Sequence, residues 1–241
     1  MRRLASEIAQ WIQHKVSASD CTGVVLGMSG GIDSSVVAVL CQHALPRSTL
    51  GLILPCHSSP QDKEHAQLVV NKFTIDTKTV VLDGTYDTLL GPLPSSDRLI
   101  KANLKARLRM LVLYYFANYL NCMVVGSSNR SELAIGYFTK YGDGGVDIMP
   151  LGNLVKGQVR ELATFLDIPQ MIIDKPPSAG LWDGQTDEEE MGLSYDDLDN
   201  YLQGGFALCD TEKRIKELQM SARHKLSMPS IFKRLKEVNN D

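Results

Sequence analysis

Several features that would assign the chain to a specialised class of protein are missing from this 241-residue sequence. No apolar run reaches the roughly 18 residues that a membrane-spanning helix needs, and the N-terminal segment lacks the apolar core of a signal peptide. The formal net charge is −3, so the composition gives no indication of a nucleic-acid-binding surface. These absences leave a cytoplasmic enzyme or binding protein as the expectation.

The cysteines provide no framework for disulfides or metals. There are five of them, an odd number, and no two form a C-x-x-C pair. This argues against a disulfide scaffold, a structural zinc site and an iron–sulfur cluster, and it favours free thiols in a reducing compartment. Their positions are Cys21, Cys41, Cys56, Cys122 and Cys209.

What the sequence does contain is an alternation of short apolar runs with longer helical patterns. The apolar runs predict strands at 23–27, 49–55, 78–82 and 122–126. The helical patterns cover 34–45, 62–73, 97–120, 155–166, 194–203 and 211–225. The strand runs are continuously apolar, which is typical of a parallel sheet buried on both faces. We therefore expect an α/β fold, with a doubly wound, mainly parallel sheet and helices on both faces.

The segment "DKPPSAGLWDGQTDEEEMG" (174–192) is rich in proline, glycine and acidic residues, and it predicts a long loop. Long loops in compact domains are often functional. We expect residues 183–191 to act as an acidic lid that is flexible alone and becomes ordered when nucleotides bind.

The stretch "GMSGGIDSS" (27–35) joins the first predicted strand to the first helix of the alternation. Gly30 and Gly31 let backbone N–H groups approach an anion, and three serines supply further donors. The N-terminus of the helix adds positive potential at the same point. A carboxylate, Asp33, lies within this phosphate cradle, and it would be repelled by phosphate unless a cation such as magnesium lay between them.

Three other interpretations of this turn exist: a Walker loop, a nucleophile elbow and a turn without any ligand. No lysine follows the glycines, so the turn does not match the Walker sequence. It does match G-x-S-x-G, the nucleophile elbow of α/β hydrolases, with Ser29 as nucleophile. Only 28 residues precede Ser29, too few for the strand and loop that supply the oxyanion hole in that fold. The hydrolase stays a distant alternative, as does a glycine-rich turn without any ligand.

The motif "SGGIDSS" resembles the SGGxDS signature of the ATP pyrophosphatase (PP-loop) superfamily, whose members adenylate a carbonyl oxygen. Further segments resemble one branch of it, ammonia-dependent NAD synthetase, over about residues 4 to 235. These segments are "NLKARLRM" (103–110), "GSSNRSELAIGYFTKYGDGGVDIMPLGNLVKGQVREL" (126–162), "KPPSAGLWDGQTDEEEMGLSYDDLDNYL" (175–202) and "RHK" (223–225).

The resemblance implies a single domain over residues 1–241 with an adenine nucleotide alpha hydrolase-like, Rossmann-like fold. The PP-loop ATP-binding core would span about 20–170, and a helical C-terminal part with the acidic lid loop about 171–241. Within "YFTKYGDGG" the glycines permit tight turns, and Tyr137, Phe138 and Tyr141 offer a wall against which a nicotinate ring could stack.

Site residues follow from the same resemblance. The ATP-binding residues would be Gly27, Met28, Ser29, Gly30, Gly31, Ile32, Asp33, Ser34, Ser127, Lys156 and Ser178. The metal ligands would be Asp33 and Glu132, and the catalytic residues Asp33 and Lys156. The residues that bind deamido-NAD would be Arg107, Lys140, Asp147, His224 and Lys225. Ile53 stands where relatives have an arginine, so we expect adenine to be recognised by backbone groups near Leu52–Leu54.

The implied reaction is ATP- and Mg²⁺-dependent amidation of deamido-NAD by ammonia, which gives NAD, AMP and pyrophosphate in the last step of NAD biosynthesis. The partners would be these small molecules and a second copy of the chain, with no nucleic acid and no membrane. No cysteine lies in an activated setting for a glutaminase, so free ammonia is the expected donor. Two alternatives remain: a tRNA-modifying PP-loop enzyme and a nucleotide sensor with an inactive site.

Overall fold

The structure is a computed structural model that describes residues 1–178, 184 and 186–232. Four parallel strands form its sheet in the order β3–β2–β1–β4. In the register of the sheet, Val25 of the central strand β1 lies opposite Leu50 of β2 and Val124 of β4. The strands are β1 (Gly23–Gly27), β2 (Thr49–Ile53), β3 (Asp76–Thr79) and β4 (Cys122–Val125).

Helices connect the strands and form the C-terminal part of the described chain. The predicted parallel α/β architecture is confirmed, and the long pattern at 97–120 forms one helix. In the described chain no helix has the length and apolar character needed to span a membrane. The helices are α1 (Arg2–Ser17), α2 (Ile32–Ala44), α3 (Pro60–Phe73), α4 (Asp83–Leu90), α5 (Arg98–Leu120), α6 (Arg130–Ile135), α7 (Lys156–Phe165), α8 (Gln170–Ile173), α9 (Asp187–Met191), α10 (Tyr195–Leu202) and α11 (Cys209–Ala222).

The sheet is buried on both faces because helices pack on each side of it. Side chains alternate along β1, so Val24 and Leu26 join one core and Val25 joins the other. The first core receives the apolar sides of α1, α2, α3 and α7. The second receives α4 and α5, with Leu108 and Ala117 of α5 buried against the sheet.

Two of the predicted segments differ from the structure, and the short helices α4, α6 and α8 had not been predicted. The third strand covers Asp76–Thr79 rather than the apolar run 78–82, and most of its residues are exposed. It is an edge strand, so it pairs on one side alone and needs no apolar residues on both faces. In the predicted loop 174–192, Asp187–Met191 form the short helix α9. Residues 183 and 185 of the predicted lid lie outside the described residues.

The strand order places a ligand crevice beside the end of β1. The chain adds β2 and β3 on one side of β1 and then crosses to β4 on the other side. In such sheets ligands bind at the carboxyl ends of the strands where the order reverses, here between β1 and β4. A third apolar cluster, which includes Ile135, Tyr195 and Ile215, packs α9–α11 against α6. Helices therefore surround this crevice.

Candidate active site

The loop after β1 forms a narrow turn into α2. Gly30 has φ 79°, a left-handed conformation that favours glycine. Gly31 is the N-cap of α2 and no side chain caps this end, so the first N–H groups of the helix remain available to an anion. The hydroxyls of Ser29 and Ser34 lie 2.9 Å apart, and Ser34 donates to the Gly31 carbonyl at 3.0 Å. Together these groups form a cradle suited to phosphate.

A buried lysine joins two carboxylates beside this loop. Lys156, the first residue of α7, is only 2% exposed. Its Nζ lies 2.6 Å from Asp33 Oδ2 and 3.4 Å from Glu132 Oε1. Asp33 follows β1 and Glu132 follows β4, so the pair of carboxylates lies on the two sides of the switch in strand order. The Nζ also lies 5.0 Å from the centre of the Tyr195 ring, a cation–π contact.

Asn129 holds the two carboxylates in place. Its side chain donates to Asp33 Oδ1 at 2.9 Å and accepts from the Glu132 N–H at 3.0 Å. Glu132 Oε2 in turn accepts from the Asn129 N–H at 3.1 Å. This reciprocal pair is a capping box at the start of α6. The cap that stabilises the helix therefore also fixes the direction of Glu132.

Burial and mutual repulsion shape the charges in this cluster. Burial raises the pKa of Glu132 to about 8, and the charge of Asp33 adds to the rise while Lys156 opposes it. Burial alone would lower the pKa of Lys156, but Asp33 and Glu132 raise it above its ordinary value. The lysine thus stays charged between the two carboxyl groups. A further cation beside Glu132 would oppose the rise of its pKa and favour its ionised form.

A buried aspartate ties together the helices that carry this cluster. Asp199 of α10 accepts from Ser131 Oγ at 2.5 Å and from the Gly157 N–H at 2.7 Å. Ser131 Oγ also accepts from the Lys156 N–H at 3.1 Å. One carboxylate therefore joins the first turns of α6 and α7, immediately beside Glu132 and Lys156.

Comparison with known proteins identifies the family of this chain. The family model described as NAD synthase matches residues 4–238. The chain belongs to the NAD synthase family. A relative from Carboxydothermus hydrogenoformans, named NH(3)-dependent NAD(+) synthetase, is 44% identical over 230 residues, which cover 93% of this chain and 95% of the relative. A protein of the same name from Methanocaldococcus jannaschii is 47% identical over 208 residues, 84% of this chain and 80% of the relative.

Solved structures of similar sequence have the same fold. The NMN synthetase of Francisella tularensis has a TM-score of 0.93 and 38% identity, and the match covers 97% of this chain and 98% of that one. The NH3-dependent NAD synthetase of Campylobacter jejuni has a TM-score of 0.82 and 29% identity, over 96% of this chain and 98% of that one. These matches confirm the fold class and the family resemblance read from the sequence.

The Lys156–Asp33–Glu132 cluster of this NAD synthase family member suits a magnesium ion whose other ligands are phosphate oxygens. In the described part of the chain, no group of three or more His, Cys, Asp or Glu residues is arranged as a metal cage. Asp33 and Glu132 both direct an oxygen toward the Lys156 ammonium, and hard carboxylate oxygens are ligands that Mg²⁺ accepts. Mg²⁺ bound to a nucleotide needs only one or two protein carboxylates. The residues therefore fit the ion in the presence of polyphosphate.

The remaining predicted ATP-binding residues lie around the same edge of the sheet. Gly27 ends β1, and the Met28 N–H donates to the Leu52 carbonyl at 2.8 Å. Ile32 is buried in the first turn of α2. Ser127 lies between β4 and α6 and is half-buried. Ser178 is half-buried near α9, whose Asp187 N–H donates to the adjacent Pro177 carbonyl at 3.0 Å.

Three of the five residues predicted to bind the dinucleotide form a second group. Lys140 donates to the backbone carbonyls of His224 and Ser227, the latter at 3.3 Å. Lys225 donates to the carbonyls of Gly136 and Phe138 at 2.8 and 2.9 Å. The two lysines thus connect the end of α11 to the "YFTKYGDGG" loop, while the His224 side chain is exposed.

The other two residues of the predicted dinucleotide site lie apart from that group. Asp147 accepts from Tyr114 of α5 at 3.0 Å and from the Val124 N–H at 2.7 Å. Arg107 is exposed on α5, two turns before Tyr114. Among the described residues, no hydrogen bond or ion pair connects Arg107 or Asp147 with the lysine group. The structure therefore does not bring the five residues into one contact network.

We expected backbone groups near Leu52–Leu54 to recognise adenine, but their carbonyls already accept hydrogen bonds from other residues. The carbonyls of Leu52, Ile53 and Leu54 already accept from the Met28 N–H, the Val80 N–H and Arg109 Nε at 2.8, 3.0 and 3.0 Å. Adenine would have to share these oxygens with the donors that already occupy them.

Sequence reasoning missed several residues of the site. The pattern N-x-x-E at 129–132 is a capping-box signature and would have drawn attention to Asn129. Asp199 and Tyr195 lie in a segment whose helical pattern carries no chemical signal. Arg109, which also donates to Ser58 Oγ at 3.0 Å, is two residues from the predicted Arg107 and has no distinguishing pattern of its own.

Ser29 has no setting for nucleophilic catalysis. Its hydroxyl contacts Ser34 and accepts from the Gly31 N–H at 3.2 Å. Across the described ranges, neither a histidine nor another general base contacts it. A serine nucleophile needs such a base to be activated. The geometry thus gives no support to the hydrolase alternative.

Proposed function

We propose that this chain is a ligase that uses ATP to amidate the nicotinate carboxylate of deamido-NAD with ammonia. The single observation that carries the proposal is the Lys156–Asp33–Glu132 cluster beside the glycine-rich loop at the switch in strand order. Membership of the NAD synthase family and relatives named NH(3)-dependent NAD(+) synthetase support the substrates.

The chemistry requires positioning and charge stabilisation more than a protein nucleophile. A carboxylate is a poor acyl donor because its leaving group would be oxide. Attack of the nicotinate oxygen on the α-phosphate of ATP makes an acyl adenylate and releases pyrophosphate. Ammonia then attacks the carbonyl carbon, AMP leaves, and the amide loses a proton. The cradle after β1 holds the phosphates while α2 and Lys156 stabilise their charge.

A bound Mg²⁺ would supply further charge stabilisation at the phosphates. Asp33 and Glu132 are the residues that would hold it. Lys156, which lies between them, would turn its ammonium toward phosphate oxygen. The predicted roles of Lys140, Asp147, Arg107, His224 and Lys225 toward the dinucleotide remain part of this proposal, as do those of Ser127 and Ser178 toward ATP.

The proposal extends to a homodimer. Helix α5 packs one side against the sheet but exposes an apolar stripe at i, i+4 and i+8. Leu111, Tyr115 and Tyr119 of this stripe are 59%, 68% and 76% exposed. Exposed apolar patches of this kind mark interfaces. A second copy that covered α5 would also approach Arg107 of that helix and Asp147, which accepts a hydrogen bond from Tyr114 of α5.

We also propose a cytoplasmic enzyme. The five cysteines are free, and Cys41 and Cys56 are buried. Free thiols of this kind are typical of reducing compartments.

A second candidate substrate is nicotinate mononucleotide. The Francisella tularensis structure, with a TM-score of 0.93, carries the name NMN synthetase. The nicotinate carboxylate is common to both substrates, so the cluster serves either one equally. Deamido-NAD differs from nicotinate mononucleotide only by the adenylate that it carries in addition.

The test is to incubate the protein with ATP, Mg²⁺ and ammonium, adding deamido-NAD in one reaction and nicotinate mononucleotide in a parallel one. Formation of the amide with one AMP and one pyrophosphate per product supports the ligase. The ratio of kcat/KM for the two substrates identifies the physiological one. Absence of ATP-dependent amide formation with both substrates would contradict the proposal.

A further inference from the structure

A second lysine lies on the opposite side of the phosphate loop from Lys156. Helix α3 begins after β2, the strand on the other side of β1 from β4. Its first turn packs directly against the loop, because a Cβ at Gly30 would lie only 2.1 Å from the Asp62 carbonyl oxygen. The Asp62 side chain forms an ion pair with Lys175, with Oδ1 and Nζ 2.5 Å apart.

The ion pair is only partly shielded from solvent. The side chains of Lys175 and Asp62 are 24% and 17% exposed. Lys175 can therefore move toward a ligand without unfolding its surroundings. Pro176 and Pro177 follow it and restrict the backbone, and the Asp187 N–H donates to the Pro177 carbonyl at 3.0 Å. These constraints keep the backbone of Lys175 beside the glycine-rich loop after β1.

A second observation beside the loop is a buried polar side chain without a protein partner, His65 in the same helix turn. His65 is 2% exposed, and neither ring nitrogen has a hydrogen-bond partner among the described residues. Its Cβ lies 3.1 Å from where a Cβ of Gly30 would be. Burying a polar group without a protein partner is costly, so the ring nitrogens of His65 favour a ligand, ion or water beside them.

We propose that Lys175 binds the β- and γ-phosphates of ATP, and that Asp62 holds the lysine in place when no nucleotide is bound. The proposal rests on the proposed function only for the identity of the nucleotide. With Lys156 on one side of the cradle and Lys175 on the other, the triphosphate would lie between two ammonium groups.

The role of Lys175 in the reaction follows from where charge develops. When the nicotinate oxygen forms a bond to the α-phosphorus, the bond from that phosphorus to the bridging oxygen breaks. The electron pair remains on that oxygen as pyrophosphate leaves. An ammonium group that donates to pyrophosphate oxygens stabilises this charge, and no proton needs to be transferred.

Calorimetric binding of MgATP, magnesium pyrophosphate and AMP, without any nicotinate substrate, tests the proposal. For Lys175→Ala we expect MgATP and pyrophosphate to bind at least about tenfold more weakly, because one charge-assisted contact is lost. AMP should bind as it does to the wild type, since it lacks the phosphates that Lys175 contacts. Lys175→Arg keeps the charge and should recover most of the ATP affinity.

Two further variants separate a phosphate contact from a structural one. Lys72→Ala removes another ion pair from α3, to Asp167 at 2.7 Å, and should change none of the three affinities. Asp62→Asn should tighten MgATP binding, because it frees Lys175 from its resting partner. Equal weakening of AMP and ATP by Lys175→Ala, or unchanged ATP affinity, would overturn the proposal.

The results of these binding measurements do not depend on whether the protein amidates a nicotinate substrate. If ATP binds as expected but neither nicotinate substrate is amidated, the proposed function fails and the assignment of Lys175 holds. If amidation occurs but Lys175→Ala leaves MgATP binding unchanged, the opposite conclusion follows.

Discussion

Replacing Asp199 tests whether a residue outside the glycine-rich loop positions Glu132, the carboxylate that we propose as a metal ligand. Asp199 accepts two hydrogen bonds, from Ser131 Oγ and the Gly157 N–H, and is 7% exposed. Hydrogen bonds to charged groups contribute about 1.5–3 kcal/mol each. Asp199→Ala should therefore destabilise the fold by about 3–6 kcal/mol, a large part of the typical 5–15 kcal/mol of a domain.

Asp199→Asn is the more informative variant because it keeps the volume of the side chain. Its oxygen can still accept one of the two bonds, but its NH₂ group must face the other donor. We expect a loss of about 1–3 kcal/mol in unfolding free energy, measured by urea denaturation. In a double-mutant cycle with Ser131→Ala, the two changes should be non-additive by about 1 kcal/mol or more, since the side chains are in contact.

The functional readout is the Mg²⁺ concentration that gives half-maximal amidation. Asp199→Asn loosens the first turn of α6, which carries Glu132, so this concentration should rise and kcat should fall. Ser194→Ala serves as the control, because it removes the N-cap of the same helix α10 at a half-buried position. It should lower stability by about 1 kcal/mol without changing the Mg²⁺ requirement. An Asp199→Asn protein with a wild-type Mg²⁺ requirement would refute the positioning role.

Three further outcomes follow from the structure. Asp33→Asn should fold and lose most amidation activity, because it removes the carboxylate shared by Lys156 and Asn129; near-normal turnover at saturating Mg²⁺ would take Asp33 out of the site. A fluorophosphonate should leave Ser29 unmodified, and stoichiometric labelling found by mass spectrometry would revive the hydrolase. Tyr115→Glu should shift the chain from dimer to monomer in sedimentation at micromolar concentration, and a wild-type protein that is already monomeric would contradict the proposed interface.

The identity of the nitrogen donor is checked by pH and by glutamine. The attacking species is NH₃, so at fixed total ammonium the apparent affinity should improve as the pH rises toward the pKa of ammonium. Glutamine should not replace ammonia when contaminating ammonia is removed enzymatically. Efficient NAD formation from glutamine by this chain alone would contradict free ammonia as the direct nitrogen donor.

Local sequence patterns determined most of the secondary structure. The apolar run "GVVLG" coincides with β1, and the helical pattern at 97–120 coincides with α5 apart from its cap, Asp97. Short apolar runs and 3.6-residue periodicity report burial of one element against another, so they succeed wherever an element is buried. They misplaced β3, an exposed edge strand, and missed α9, a helix of five residues that ends at Met191 before the left-handed C-cap Gly192.

The sequence motif also located the phosphate cradle, because its chemistry depends on residues that are adjacent in the chain. The contacts around it depend on the tertiary structure alone. Lys156 and Asp33 are separated by 123 positions, and Lys175 and Asp62 by 113, yet each pair is in direct contact. The order of the strands decides which helix starts meet at the end of β1. No local pattern encodes that order, since it results from how the whole chain buries both faces of its sheet.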